Sequence, residues 1–129
     1  MYTLRVEGAF EAAHRIVDYP GKCNRLHGHN WVVEATVQGT VLDKLGMLVD
    51  FKVLKKAFNE VLDRYDHRFL NEIEPFAAGE NPTAENIARE VYREFAQSDC
   101  FHKAGSDAHL AAIRVFESPK SSVTYTEDK

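Results

Sequence analysis

Two long stretches of alternating apolar and polar residues constrain the fold of this chain more than any other feature. In residues 2–14 the apolar phase contains Leu4, Val6, Phe10, Ala12 and His14. In residues 27–37 it contains His27, His29, Trp31, Val33, Ala35 and Val37. Because strand side chains alternate between the two faces of a sheet, this pattern predicts two half-buried β-strands. Three histidines therefore share the phases that are expected to face the core.

Two helices and a hairpin are predicted to follow. Asp50 is expected to cap a helix whose apolar stripe contains Phe51, Leu54, Phe58, Val61, Leu62 and Tyr65. Thr83 is expected to cap a second helix whose buried face contains Ile87, Val91, Tyr92 and Phe95. Strands over 110–117 and 121–126 would close the chain, the first with a phase of Ala111, Ile113, Val115 and Glu117. The order ββααββ predicts an α+β domain, a four-stranded antiparallel sheet with both helices on one face.

The second face of this sheet would be polar. It would carry Thr3, Arg5, Glu7, Glu34, Thr36, Gln38 and Arg114. Such a sheet can expose its polar face to water, or it can pair its open edges between subunits and close into a barrel. The pattern leaves both possibilities open.

Composition narrows the class of protein. A chain of 129 residues with 44% hydrophobic side chains is expected to form a single domain over residues 1–129. Its net charge of -4 argues against nucleic acid and anionic membranes as partners. We see no apolar run of transmembrane length and no signal-peptide pattern at the start, so we expect a cytoplasmic protein with Cys23 and Cys100 as reduced thiols.

The histidines of the two strands give the strongest chemical signal. His-Gly-His at 27–29 is a weak pattern by itself, and a lone His14 in an apolar phase would be read as a hydrogen-bonded core residue. Three imidazoles in phase at one strand junction instead predict a site for a divalent metal. Three histidines with an open fourth position are typical of catalytic zinc.

Cys23 precedes His27 by four residues and Arg25 by two. A nearby metal and a guanidinium both favour the thiolate and would lower the pKa of the thiol. This placement predicts a reactive cysteine, and an inert buried thiol is the alternative. Cys100 has no histidine pair nearby in phase and is expected to be structural.

Two further positions have a functional and a structural interpretation. Asp66 and His67 could form a proton relay, or His67 could simply complement the dipole at the end of the first helix. Glu117 continues an apolar phase, so its carboxylate must emerge at the strand end or be paired, because unpaired burial is costly. In a pocket it could accept two parallel N–H bonds from a guanidine-like ligand edge.

Five motifs occur in a characteristic order, and they read FEAAH, CNRLHGH, YDHRFLN, NPTAEN and ESP. In these motifs the chain resembles the 6-pyruvoyltetrahydropterin synthase superfamily over nearly its whole length. Three residues separate the cysteine from His-Gly-His. That spacing is similar to the bacterial 6-carboxytetrahydropterin synthase branch, whereas the animal pyruvoyl enzymes have a longer spacer.

The resemblance implies a tunnelling fold, in which sheets of several subunits join into a barrel. It implies a homo-oligomer, a trimer or hexamer, with active sites at subunit interfaces. It implies a zinc cofactor with three ligands, His14, His27 and His29. The implied catalytic residues are Cys23 as general base and Asp66 with His67 as its assistants from a neighbouring subunit. The implied substrate-binding residues are Glu117 as the pterin anchor, with Arg25 and Thr83 as further candidates.

The implied reaction converts 7,8-dihydroneopterin triphosphate to 6-carboxy-5,6,7,8-tetrahydropterin, acetaldehyde and triphosphate, for queuosine or another deazapurine pathway. One alternative is a 6-pyruvoyltetrahydropterin synthase acting on the same substrate. A second is a non-catalytic metal- or pterin-binding module, in which Cys23 would be a structural or fourth zinc ligand.

Overall fold

A mixed five-stranded sheet forms one layer of the structure, and two α-helices cover one of its faces. The computed structural model describes residues 1–21 and 25–127. In chain order the elements are β1 (Tyr2–His14), β2 (His27–Gly39), α1 (Phe51–Asp63), β3 (Arg68–Phe69), α2 (Ala84–Ala96), β4 (His109–Ser118) and β5 (Ser121–Tyr125). The strands lie in the order β3-β1-β2-β4-β5. The predicted α+β layers and the order of the main elements are confirmed.

The short strand β3 departs from the prediction of a four-stranded antiparallel sheet. It pairs in parallel with β1 at Ala12 and Ala13, so the sheet has five strands and is mixed. Two residues are too few to show a hydrophobic period, and no sequence pattern could therefore reveal this strand.

The central hairpin keeps one register from end to end. Tyr2 lies opposite Gly39, and His14 lies opposite His27, with no irregularity between them. Trp31 and the three apolar residues that follow it in phase are fully buried, as predicted. Since a slip of one residue would move every side chain to the other face, this register fixes which residues meet the helices.

Both helices begin at the predicted caps. The side chain of Asp50 accepts a hydrogen bond from the Lys52 amide at 2.9 Å, and that of Thr83 accepts from the Asn86 amide at 3.1 Å. The predicted buried face of α2 is confirmed. In α1 the prediction for Phe51 is wrong, because half of its surface is exposed and it borders a surface groove. Helical periodicity predicts the direction in which a side chain points. It does not predict how far along the helix the sheet extends to cover that side chain.

Strand β4 contains two irregularities. The first shifts the register against β2 between Thr36 and Val37, so Leu110 enters the core and the predicted Ala111 does not. Beyond this shift Ile113 and Val115 are fully buried, as predicted. The second lies against β5 between Phe116 and Ser118 and contains Glu117. An irregularity of this kind changes the direction of the side chain that it contains, and here that side chain is the carboxylate of Glu117.

The face opposite the helices is polar, and the sheet is not closed within one chain. Arg5 pairs with Glu34 across β1 and β2, and Gln38 donates to the Thr3 hydroxyl at 3.3 Å. β1 pairs with β3 only at Ala12 and Ala13, and β5 is the other edge strand. In the described part of the chain, neither helix has the length and apolar character needed to span a membrane.

Candidate active site

The β1–β2 register brings the three predicted metal ligands together. The ring centroids of His14 and His27 lie 4.4 Å apart, those of His14 and His29 5.0 Å, and those of His27 and His29 4.8 Å. Glu117 joins them, and one donor atom from each of the four residues lies within 4.8 Å of the others. Two adjacent strands and a bulged strand end thus converge on one point.

Hydrogen bonds to backbone carbonyls orient two of the imidazoles. His14 Nδ1 lies 2.7 Å from the Pro82 carbonyl oxygen, and His27 Nδ1 lies 2.7 Å from that of Arg25. Since a carbonyl can only accept, each Nδ1 must carry the proton, and each Nε2 keeps a lone pair. This is the outer support that metal-binding histidines usually have.

The Nε2 atom of His14 tests whether the cluster suits a metal ion. His14 is only 1% exposed, and its Nε2 has no hydrogen-bond partner within the described structure. A buried polar atom without a partner is costly, and a metal ion would remove that cost. The donor set of three imidazoles and one carboxylate fits a divalent ion of the zinc type.

Burial keeps two of the imidazoles in the neutral form that metal binding requires. Burial lowers the pKa of His14; the Pro82 hydrogen bond raises it in part, and the nearby His27 and His29 lower it further. Burial also lowers the pKa of His29, against the opposing charge of Glu117. Neutral imidazole retains the lone pair that binds a cation.

Trp31 forms a rigid floor under the cluster. Its ring centroid lies 5.0 Å from that of His14 and 5.1 Å from that of His29, both in edge contacts. Its indole N–H donates to the Ala12 carbonyl at 3.3 Å. The indole is fully buried and close-packed, so His14 and His29 rest on a well-fixed side chain.

Two asparagines that the sequence reasoning did not single out hold the chain where it leaves β1. The Asn71 side chain accepts from the Arg15 amide and donates to its carbonyl, both at 2.9 Å. The Asn81 side chain accepts from the Val17 amide at 2.9 Å and donates to its carbonyl at 3.1 Å. Each carboxamide therefore imitates a neighbouring strand. The sequence feature that could have drawn attention to Asn81 is its position directly before Pro82. In the structure, the Pro82 carbonyl orients His14.

Replacing Asn81 by alanine is expected to loosen both this segment and the metal site. Two hydrogen bonds to Val17 are lost, so the residue before Pro82, whose carbonyl orients His14, is held less firmly. We expect zinc affinity to fall about tenfold, the low end for loss of an outer-sphere partner. Chelator competition measures this, and hydrogen exchange of the Val17 amide should accelerate.

Asn59→Ala is the matched control, since Asn59 lies on the exposed face of α1. An Asn81→Ala variant with native zinc affinity and native Val17 exchange would contradict this role.

Asp66 and His67 form a second cluster, which is attached to β1 through Glu11. The Glu11 amide donates to Asp66 Oδ1 at 2.9 Å, and the His67 amide donates to the Glu11 carbonyl at 2.6 Å. Asp66 Oδ2 lies 2.9 Å from His67 Nδ1, while His67 Nε2 lies 3.5 Å from a Glu11 carboxylate oxygen. α1 ends at Asp63, before the pair, so His67 lies outside the helix whose dipole it might have complemented.

The carboxylate changes the acid–base properties of the imidazole. Its hydrogen bond and charge raise the pKa of His67. The pKa of Asp66 is lowered, first by the Glu11 amide and then by His67. His67 has a left-handed backbone with a φ of 56°, which is uncommon outside glycine and is often found at functional positions.

An Asp66→Asn variant is expected to lower the pKa of His67 towards its ordinary value. The negative charge disappears, while the amide oxygen can still accept from Glu11, so the local backbone is retained. NMR titration of the His67 ring measures the effect. Asp63→Asn, at the nearby end of α1, is the control and should leave that pKa unchanged. An unaltered His67 pKa in Asp66→Asn would refute the pairing.

The two clusters project from different faces of the sheet. The three imidazoles share the face of buried Phe10 and Ala12, which meets the helices, whereas Glu11 between them projects from the polar face. His67, whose side chain is 75% exposed, contacts Glu11 and borders an open groove at the end of β1, and the lining of this groove also includes His29. The predicted metal ligands are thus brought together, and Asp66–His67 form a separate unit.

The other predicted site residues have individual positions. Arg25 is exposed, and its carbonyl orients His27. The Thr83 hydroxyl accepts the cap hydrogen bond of α2, close in sequence to the Pro82 carbonyl that holds His14. Cys23 lies outside the described residues.

Comparisons with known proteins agree with this arrangement. The family model described as 6-pyruvoyl tetrahydropterin synthase matches residues 3–128. The chain is 31% identical to a Rickettsia felis protein named 6-carboxy-5,6,7,8-tetrahydropterin synthase, over 91% of this chain and 93% of that protein. It is 29% identical to the Haemophilus influenzae protein of the same name, over 98% of this chain and 100% of that protein.

A solved structure shares the fold as well. The 6-pyruvoyl tetrahydropterin synthase of Caenorhabditis elegans superposes with a TM-score of 0.83 at 30% identity, covering 98% of this chain and 96% of the nematode chain. The sheet, the helices and the sequence over nearly the whole length agree with one assignment. The chain belongs to the 6-pyruvoyl tetrahydropterin synthase family.

Proposed function

We propose that this protein is a zinc-dependent 6-carboxy-5,6,7,8-tetrahydropterin synthase. It would convert 7,8-dihydroneopterin triphosphate to 6-carboxytetrahydropterin, acetaldehyde and triphosphate. The observation that carries the proposal is the convergence of three imidazoles, with the lone pair of a buried His14 Nε2 left without a partner among the described residues. The relatives named 6-carboxy-5,6,7,8-tetrahydropterin synthase support the choice of reaction.

The metal-site residues would act on the three-carbon side chain of the substrate. Zinc held by His14, His27 and His29 would supply a Lewis acid for the side-chain hydroxyls. Trp31 packs against His14 and His29 and would restrict the rotation of these two imidazoles, so little reorganisation is needed when substrate arrives. Cys23, as a thiolate, would move protons at the adjacent carbons while the carbon–carbon bond breaks.

The remaining predicted residues would bind and orient the substrate. Glu117 would accept hydrogen bonds from the 2-amino group and the ring N–H of the pterin. Thr83 can still donate its hydroxyl proton while it accepts the cap hydrogen bond, so it could reach the same ring. Arg25 is exposed and cationic, which suits a triphosphate.

The Asp66–His67 pair would serve the site of a neighbouring subunit. Its contact with Glu11 lies on the polar face, while the imidazoles of the same chain face the helices. The edges of the sheet at β1 and β5 are available for pairing with other copies. We therefore propose a homo-oligomer, a trimer or hexamer, in which adjacent sheets continue one another and each site draws residues from two chains.

A 6-pyruvoyltetrahydropterin synthase is the second candidate. The structural similarity to the nematode enzyme of that name favours it. Both reactions start from one substrate, but the pyruvoyl reaction retains all three side-chain carbons whereas the carboxy reaction releases two of them as acetaldehyde. Product mass therefore separates the two candidates.

The decisive experiment incubates purified protein of known zinc content with 7,8-dihydroneopterin triphosphate and identifies the products by mass spectrometry. Acetaldehyde with 6-carboxytetrahydropterin is the expected result. A pyruvoyl product would move the protein to the second candidate. No turnover by zinc-loaded protein would favour a metal- or pterin-binding module and overturn both enzyme assignments.

A further inference from the structure

Glu117 makes an unusual contact within the histidine cluster. Its Oε1 lies 3.1 Å from His29 Nε2, close enough for a hydrogen bond. The same nitrogen is nevertheless buried, and among the described residues it forms no hydrogen bond. The two groups are therefore neighbours that are not joined by a hydrogen bond. Ion pairing alone does not account for this arrangement.

Two ligands of one metal ion would have this relation. With metal–nitrogen and metal–oxygen bonds near 2.0–2.2 Å in a tetrahedral site, neighbouring donor atoms are about 3.3 to 3.6 Å apart and both point at the ion. The donor atoms of His14, His27, His29 and Glu117 all lie within 4.8 Å of one another. The Glu117–His29 pair is already at about the separation of two ligands, and the widest pair of the set must shorten from 4.8 Å for all four to bind one ion.

We propose that Glu117 is a displaceable fourth metal ligand in the substrate-free protein, and that it leaves this position when it takes hold of the pterin ring. The first half of the proposal concerns the metal site alone. The second half rests on the proposed function, because it requires the ring to be the competing partner. Substrate recognition would then open the position that the substrate side chain needs.

The position of Glu117 in the fold suits a side chain that moves. It lies in the irregularity between Phe116 and Ser118, just before the turn to β5, where the pairing of the two strands is interrupted. Its side chain is 38% exposed, against 1% exposure for His14. The three imidazoles lie on paired strands and two of them, His14 and His29, pack against Trp31, whereas Glu117 has room to rotate towards solvent.

The metal ion and the pterin ring would compete for the carboxylate oxygens of Glu117. A guanidine-like edge is held best when both carboxylate oxygens accept parallel N–H bonds in one plane. An oxygen that binds the metal at the His29 side is withdrawn from that plane. Metal binding by Glu117 and ring binding by Glu117 should therefore weaken one another, and by linkage the factor must be the same in both directions.

The first test measures the metal site without substrate. Glu117→Gln is expected to weaken zinc binding at least tenfold in a chelator competition and to change the visible absorption of the cobalt-substituted protein. The factor is at least that found for loss of an outer-sphere partner, since a direct ligand is removed. Glu60→Gln, with the same change of charge on exposed α1, should bind zinc as the native chain does. Native zinc affinity and an unchanged cobalt spectrum in Glu117→Gln would overturn the proposal.

The second test adds 7,8-dihydropterin, which has the ring but not the three-carbon side chain, to the cobalt-substituted protein. Calorimetry first establishes saturation. The expected result is a change in the cobalt spectrum of the native chain. Saturating binding with an unchanged spectrum would overturn displacement by the ring and leave Glu117 as a permanent ligand.

These outcomes are separable from failure of the proposed function. If the protein turns over no pterin and binds no 7,8-dihydropterin, the ring-binding half falls with the proposed function, and the zinc and cobalt measurements still decide whether Glu117 is a ligand. If turnover is found but Glu117→Gln binds zinc normally, the proposed function stands and this inference fails.

Discussion

A His14→Ala variant is expected to bind zinc on the order of a hundredfold more weakly than the native chain, or not measurably. His14 is the most buried of the three imidazoles, and its tautomer is set by Pro82 so that Nε2 faces the cluster. Loss of an outer-sphere partner lowers metal affinity about 10- to 100-fold. Loss of a direct ligand should lower metal affinity by more than the middle of that range. Chelator competition with a calibrated zinc indicator gives the number.

The control for this experiment is His102→Ala. His102 is exposed, and its ring approaches the Ala96 carbonyl at the end of α2 at 3.3 Å. Since His14 also packs against Trp31, the metal-free forms of both variants should be compared by thermal unfolding. A folded His14→Ala protein with native zinc affinity would show that His14 is an ordinary core histidine.

A Cys23→Ala variant is expected to keep its zinc and lose about 10²- to 10⁴-fold in turnover, the usual contribution of a positioned acid–base group. Within residues 1–21 and 25–127, three imidazoles and Glu117 already supply four donor groups to the cluster. Removing Cys23 should therefore leave metal affinity intact while proton transfer fails. Turnover is followed through acetaldehyde release, and zinc content is followed by atomic absorption.

Cys100→Ala is the matched control for the thiol. Cys100 is buried, and burial raises the pKa of its thiol, so it is expected to remain protonated and unreactive. Its replacement removes a small core side chain and should change stability more than rate. If Cys23→Ala instead weakened zinc binding and turnover together, Cys23 would be a ligand, as the binding-module interpretation holds.

The long strands and their buried faces were predictable because period-two alternation encodes the side to which each residue points. That is why the burial of Trp31 and the shared face of the three histidines could be predicted. Bulges break this relation. The register shift at Thr36 and Val37 places Leu110 in the core instead of the predicted Ala111. Alternation alone gives no sign of this shift.

The parts of the site that could not be predicted depend on contacts between distant residues. Asn71 reaches Arg15 across 56 positions, and Asn81 reaches Val17 across 64. A carboxamide side chain has no periodic signature, so the sequence does not identify its partner. In the same way Asp66 and His67 are adjacent in the sequence, but their attachment to Glu11 arises only when the chain folds over β1.

The unbroken ladder between β1 and β2 separates the geometry of the histidine cluster from the length of the connecting loop. His14 and His27 lie opposite each other because the strands pair, and not because residues 15–26 measure out a distance. Insertions or deletions in that loop can therefore accumulate during evolution without displacing an imidazole. A lineage could alter the segment that carries Cys23, and with it the reaction, while it inherits the histidine scaffold unchanged.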